Sequence, residues 1–163
     1  MTDPVILALD ELQADYDIVE CDPGVADTVQ FCDRYGYRLD ESANAILVVG
    51  KADPRVYAMC VVLATTQIDV NKVVRKKLGV KKASFASPEE TTQMTGMTLG
   101  GVTPFGLPGT LPVWIDSKVM NCQRVIVGGG SRNRKIYVDP RSLEALPSAD
   151  VIENLAKQPP AST

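Results

Sequence analysis

Histidine is absent from all 163 residues of this chain. That absence excludes Ser–His and Cys–His nucleophilic pairs and every histidine metal site. Any catalysis must rest on carboxylates, lysine, tyrosine, backbone donors, water or the substrate's own groups. Long apolar runs are missing as well: none approaches a membrane span, and Met1-Thr2-Asp3-Pro4 has no charged-then-apolar leader pattern. The expectation is a cytoplasmic protein without membrane contact. The four cysteines, Cys21, Cys32, Cys60 and Cys122, lack close ligand-pair spacing, which predicts buried thiols, no disulfide and no zinc site. No Gly-Lys-Ser/Thr follows any glycine run, which removes the phosphate-loop NTPases.

What remains is an ordinary globular composition, 45% hydrophobic and 23% charged. The length suits one domain over residues 1–157, followed by a disordered tail over 158–163. The net charge of −3 hides a local imbalance: Lys72, Arg75, Lys76, Lys77, Lys81 and Lys82 fall within eleven residues that contain no acid. Arg132, Arg134 and Lys135 form a second basic group after Gly128-Gly129-Gly130. Such clusters are either solvated faces or phosphate contacts.

Pattern and punctuation predict the elements. Thr2 or Asp3 caps a helix with Pro4 at its first position and a stripe of Val5, Leu9 and Leu12. Tyr16, Ile18 and Val19 read as a strand, and Asp22-Pro23-Gly24 as a turn. Asp27 begins a helix to Tyr35 with Val29, Cys32 and Tyr35 on its buried face, stopped by Gly36. Residues 43–49 and 56–63 read as an antiparallel hairpin buried on both faces. Asp69 caps a helix ending at Gly79, a short strand covers 83–85, and Ser87-Pro88-Glu89-Glu90 is a capping box for a helix to Gly96. Residues 113–115, 124–127 and 136–138 read as strands. Helical pieces are expected from Asp139-Pro140 to Leu146 and again to about Leu155. Interleaved helices and strands with several hairpins favour a mixed α/β or α+β sheet over a doubly wound parallel one.

Four glycines and two prolines crowd Gly100-Gly101-Val102-Thr103-Pro104-Phe105-Gly106-Leu107-Pro108-Gly109. Glycine admits positive φ and close backbone approach, and proline fixes φ, so this stretch has a specified path. It is either a tight connection or a loop presenting N–H groups to a ligand oxygen.

The order helix–Gly79, strand, Ser87-Pro88-Glu89-Glu90 helix and Gly100-Gly101-Val102-Thr103-Pro104-Phe105-Gly106 resembles the YbaK family of trans-editing aminoacyl-tRNA deacylases. Leu111-Pro112-Val113-Trp114-Ile115-Asp116 and Gly128-Gly129-Gly130 extend the similarity, which runs from about Asp22 to Leu146. The resemblance implies a strongly bent, mostly antiparallel or mixed sheet with surrounding helices. It also implies hydrolysis of the ester of a mischarged tRNA, such as Cys or Ala on proline tRNA, without a cofactor.

The glycine-proline loop would then line the pocket. Asn44, Gly100, Gly101 and Thr103 become the catalytic candidates, and Ala43, Val102, Pro104, Phe105, Gly106, Asp116, Gly128 and Gly129 the substrate-binding ones. Lys72, Lys76, Lys77, Lys81 and Arg132 become tRNA contacts. The partners implied are mischarged tRNA and an aminoacyl-tRNA synthetase, with the chain a monomer or weak dimer. One departure stands out: the family's lysine at the start of the 43–49 strand is replaced by Ala43, with Asn44 beside it. An inactive module that binds tRNA, a nucleotide or a small molecule is therefore the alternative.

Overall fold

A computed structural model describes residues 3–158. Helix α1 spans Pro4–Glu11, and Asp3 is its cap, its carboxylate accepting from Val5 N at 3.0 Å. Strand β1 (Tyr16–Glu20), helix α2 (Thr28–Tyr35), and strands β2 (Ala43–Gly50), β3 (Val56–Leu63) and β4 (Gln67–Ile68) follow. A π-turn over Val70–Val74 precedes helix α3 (Arg75–Leu78). Strand β5 (Ala83–Phe85) and helix α4 (Pro88–Thr95) lead into the glycine-proline loop. Then come β6 (Val113–Asp116), β7 (Val125–Gly128), β8 (Arg134–Val138), the single turn α5 (Arg141–Glu144), β9 (Ala149–Ile152) and β10 (Ala156–Lys157).

The fold is α+β with a mixed sheet, as the pattern of elements predicts. Five strands lie in the order β5-β2-β3-β6-β9, three in the order β1-β8-β7, and β10 pairs with β4. The predicted hairpin is present, antiparallel from Ala43↔Leu63 to Gly50↔Val56, while β6 and β9 add to it in parallel. Successive side chains of a strand point to opposite faces. Ala43, Leu47, Met59, Val61, Val113 and Ile115 accordingly enter a core shared with Val125, Val127, Ile136 and Val138 of the other sheet. Val5, Leu9, Val102 and Phe105 close that core. On the opposite face, Val48, Cys60, Val62 and Trp114 pack against Val74 and Leu155. The outer face of the three-stranded sheet is covered by α2 through Phe31 and Cys32.

Several expectations need correction. The last helical piece is instead β9 and β10, because Ala149–Ile152 completes the parallel edge beside β6 and Ala156 pairs with Ile68. Val29 is 66% exposed, and Phe31 is buried in its place beside Cys32, which is buried as expected. The capping box is half formed: Ser87 Oγ accepts from Glu90 N at 3.1 Å, but the Glu90 carboxylate accepts from Tyr57 Oη at 2.7 Å and Arg55 at 2.8 Å. Partners distant in sequence, Tyr57 on β3 and Arg55 just before it, outcompete the local one. Thr2, and the expected tail beyond Gln158, lie outside the described residues. No helix among the described residues is long and apolar enough to cross a membrane.

Candidate active site

Among the described residues the two sheets are joined by one parallel bridge, between Ser42 and Ile126. Strand β5 pairs with β2 only from Val48 to Gly50, which leaves the β2 edge around Ala45, between that pairing and the Ser42–Ile126 bridge, without a strand partner. Ala86 N donates to Leu47 O and Lys51 N to Lys82 O, both at 2.9 Å, so odd-numbered residues of β2 turn their backbone groups toward this edge. By the alternation of an antiparallel ladder, the N–H and C=O of Ala45 point the same way, where no described strand pairs with them. An unpaired strand edge inside a concavity is a template for a ligand's polar groups.

That concavity is a cleft of about 640 Å³. One wall is Ala43–Ile46; the other is Ile126, Val127 and Gly128. Residues 27–31 at the start of α2 lie along it, and Leu99, Gly100 and Val102 bring the glycine-proline loop to it. The Asn44 side chain is held in place, its Oδ1 accepting from Thr28 Oγ1 at 2.5 Å, which leaves its amide N–H₂ as a donor.

Lys135 is the residue that sequence reasoning missed. It sits on β8 opposite Gly128, is only 5% exposed, and lines the cleft. Its Nζ donates to Gly100 O at 2.8 Å and lies 5.6 Å from the centre of the Phe31 ring. Among the described residues it has no ion-pair partner within 4.0 Å. Burial pushes its pKa down, and the neighbouring Arg132 guanidinium adds to this; Cys21, Asp27 and Cys32 oppose it. An ammonium kept in so dry a place with one carbonyl for company is expensive, and lysines are almost never buried unless paired. The signal in the sequence was weak: Lys135 read as part of a surface basic group, and only the strand register turns it inward.

The glycines serve close approach. Gly101 O accepts from Gly130 N at 2.7 Å, and a side chain on Gly101 would come within 2.6–2.8 Å of the Ser131 backbone. A side chain on Gly128 would land on the Val102 carbonyl. The loop at residues 100–102 and the turn at 128–131 therefore pack backbone against backbone. Gly101 N–H is taken by Thr98 O at 3.0 Å, so it is not a free donor to the cleft.

The other candidates are dispersed. Ala43, Asn44, Gly100, Val102 and Gly128 come together on the cleft. Thr103 and Phe105 are completely buried away from it, with Thr103 Oγ1 unpartnered. Pro104 and Gly106 border a separate depression beside α1, and Gly129 is buried, its carbonyl accepting from Arg134 at 2.7 Å. Asp116 is fully buried at the far end of β6, where it accepts from Ala156 N at 3.1 Å and Lys118 N at 3.2 Å. It braces the C-terminal strands. Arg132 donates to Pro23 O, Leu99 O and Asp27 at 2.8–3.2 Å, which ties the cleft rim together. Lys72, Lys76, Lys77 and Lys81 are exposed around α3, with Lys77 Nζ 5.4 Å from the Trp114 ring centre. Cys60 is wholly buried and its thiol is pushed up to about 12 by burial, which disqualifies it as a nucleophile.

Residues 22–146 match the family model described as the aminoacyl-tRNA editing domain. The chain is 32% identical over 127 residues to the uncharacterized protein YwhH of Bacillus subtilis, covering 78% of each. It is 25% identical to the prolyl-tRNA editing protein ProX of Acetoanaerobium sticklandii, covering 90% of each. The crystal structure of a candidate trans-editing enzyme for prolyl tRNA synthetase has the same fold, with a TM-score of 0.77 at 23% identity over 92% of this chain and 93% of that one. The chain belongs to the aminoacyl-tRNA editing domain family.

Proposed function

We propose that this editing domain hydrolyses the ester of a mischarged tRNA, with a small amino acid such as Cys or Ala on proline tRNA as the substrate. The observation that carries this reading is the cleft itself: an unpaired β2 edge faces a glycine loop, with a buried lysine beneath it. Its volume of about 640 Å³ suits an aminoacyl nucleoside better than a free small amino acid. The walls presented to the amino acid are small or aliphatic, namely Ala43, Ala45, Val102 and Ile126.

An aminoacyl ester is already activated, so no covalent nucleophile is needed. Water adds to the ester carbonyl carbon, the carbonyl oxygen takes up the negative charge, and the bond to the ribose oxygen then breaks. The ribose oxygen leaves with a proton, giving free amino acid and uncharged tRNA. Lys135 has N–H bonds beyond the one used by Gly100, and its charge in a dry site stabilises the developing oxyanion. The Ala45 edge orients the substrate's amino group and carbonyl, and the Asn44 amide binds the attacking water. The water's proton passes to the substrate's ribose hydroxyl or amino group. A second pocket of this kind is needed because one methylene is worth only about 1–3 kcal/mol in a synthetase site.

The test is hydrolysis of a panel of mischarged tRNAs, Cys- and Ala-charged proline tRNA first. Turnover of at least one small-residue ester supports the reading, and binding without turnover of any refutes it. Ala43, standing where the family's lysine is expected, favours the second reading of an inactive tRNA-binding module. That binding-only result is its signature.

A further inference from the structure

A second groove, of about 540 Å³, shares Asn44 and Ile46 with the cleft. It lies on the face of the five-stranded sheet away from the central core. Phe85 is the cross-strand neighbour of Val48, and Ile46 shares that face two residues earlier. Ile46 and Val62 form its floor, Thr66, Gln67 and Asn71 supply polar groups, and Phe85 stands at its edge, 54% exposed. Strand β5 is an outer strand of its sheet, and just over half of this ring is open to solvent.

The charged residues of the groove wall are Asp69 and Lys157, and the segment that runs on from Asn71 is basic. Lys72 follows Asn71 directly, and Lys81 and Lys82 immediately precede β5; all three are exposed, and no acid occurs between residues 72 and 82. Lys72 stands next to the groove wall, whereas Lys81 and Lys82 lie at the other end of β5 from Phe85, where Lys82 O accepts from Lys51 N. The one carboxylate on the wall, Asp69, is neutralised by Lys157 Nζ at 3.1 Å and accepts from Lys72 N at 3.0 Å.

An exposed aromatic face, amide groups and flanking cations are what an unpaired nucleic-acid strand requires. Bases stack on the ring and the backbone follows the cations. We propose that this groove holds the unpaired 3′ nucleotides of tRNA, with a base on Phe85, and passes the terminal nucleoside over Asn44 and Ile46 into the cleft. The inference rests on the deacylase reading for the identity of the RNA, but it concerns binding rather than turnover.

The experiment measures binding of intact tRNA, and of the same tRNA trimmed of its unpaired 3′ nucleotides, to wild-type protein and Phe85→Ala, Phe85→Leu and Phe85→Tyr variants. Circular dichroism melts verify folding, which a half-exposed side chain should barely affect. Loss of one stacked base predicts about 5- to 150-fold weaker binding of intact tRNA by the Ala and Leu variants, with Tyr close to wild type. Trimmed tRNA should bind all four proteins alike. Unchanged binding by Phe85→Ala, an equal loss with trimmed tRNA, or full retention by Phe85→Leu each overturns the groove assignment. If wild-type protein turns over mischarged tRNA while Phe85→Ala binds it normally, the groove falls and the deacylase stands. If wild-type protein binds but never hydrolyses, the catalytic reading falls and the binding series still decides the groove. If it does neither, both fall.

Discussion

Replacing Lys135 with methionine separates catalytic from structural explanations for the buried ammonium. The substitution removes Nζ and its 2.8 Å bond to Gly100 O while keeping an unbranched apolar stem beside Phe31. A hydrogen bond from a charged group contributes about 1.5–3 kcal/mol. Against this, the wild-type protein bears the desolvation of a lysine that is 5% exposed and, among the described residues, has no carboxylate within ion-pair distance, a penalty of several kcal/mol per buried ion. The two nearly cancel, so Lys135→Met should melt at or slightly above the wild-type temperature at neutral pH. Catalysis has no such compensation. Loss of a donor aimed at a developing oxyanion lowers kcat by about 100- to 1,000-fold, with little change in KM.

The pH dependence follows from the direction of the shift. Burial holds the folded-state pKa below that of the unfolded chain, so the unfolded state binds the proton more tightly. The resulting destabilisation is complete below the folded pKa and fades as pH rises toward the ordinary lysine range. Any stability advantage of the methionine variant must therefore shrink over that alkaline window. The assays are single-turnover hydrolysis of a mischarged tRNA and thermal melts from neutral to alkaline pH. A variant within twofold of wild type in rate, or one whose lost activity merely tracks lost folding, refutes the reasoning.

Gly128→Ala should destabilise by about 1–3 kcal/mol in urea melts, because the new methyl meets backbone that cannot yield; an unchanged midpoint would mean the two loops do not abut. Asp116→Ala strands the buried Ala156 N–H and should cost about 1–3 kcal/mol, read from the same melts. A thiol reagent should modify half-buried Cys122 well before fully buried Cys60, and alkylated Cys122 should leave hydrolysis intact, since no cysteine acts as nucleophile. Equal labelling rates, or inactivation that follows Cys122 alkylation, would contradict this.

Much of the fold was legible because it rests on local rules. Gly36, Gly79 and Gly96 end their helices in the left-handed conformation, and Ser87 caps α4 as its spacing predicts. The 43–63 hairpin followed from two apolar runs around a Pro-containing turn. The errors came where partners distant in sequence decide. Residues 149–152 and 156–157 are strands because they pair with parallel β6 and the short β4, not because their own pattern alternates. Val29 is exposed because Phe31 and Cys32 fill the space under α2. The site divided in the same way: Asn44, Gly100, Val102 and Gly128 came from motif and register, whereas the Ala45 edge and Lys135 came from strand pairing.

The sequence by itself determined that no histidine chemistry is available, that the fold is mixed α and β, and that the glycine- and proline-rich stretch at 100–109 follows a specified path. Those conclusions depend only on composition, local propensity and backbone sterics. Tertiary structure alone decided where the cleft opens, because it lies between strands of two sheets joined at Ser42 and Ile126. It also decided that a lysine from β8 reaches the glycine loop while Asp116, Thr103 and Phe105 do not face the cleft. The reason is physical: a side chain's direction is set by its strand's register and face, and its electrostatic role by which distant segments remove it from water.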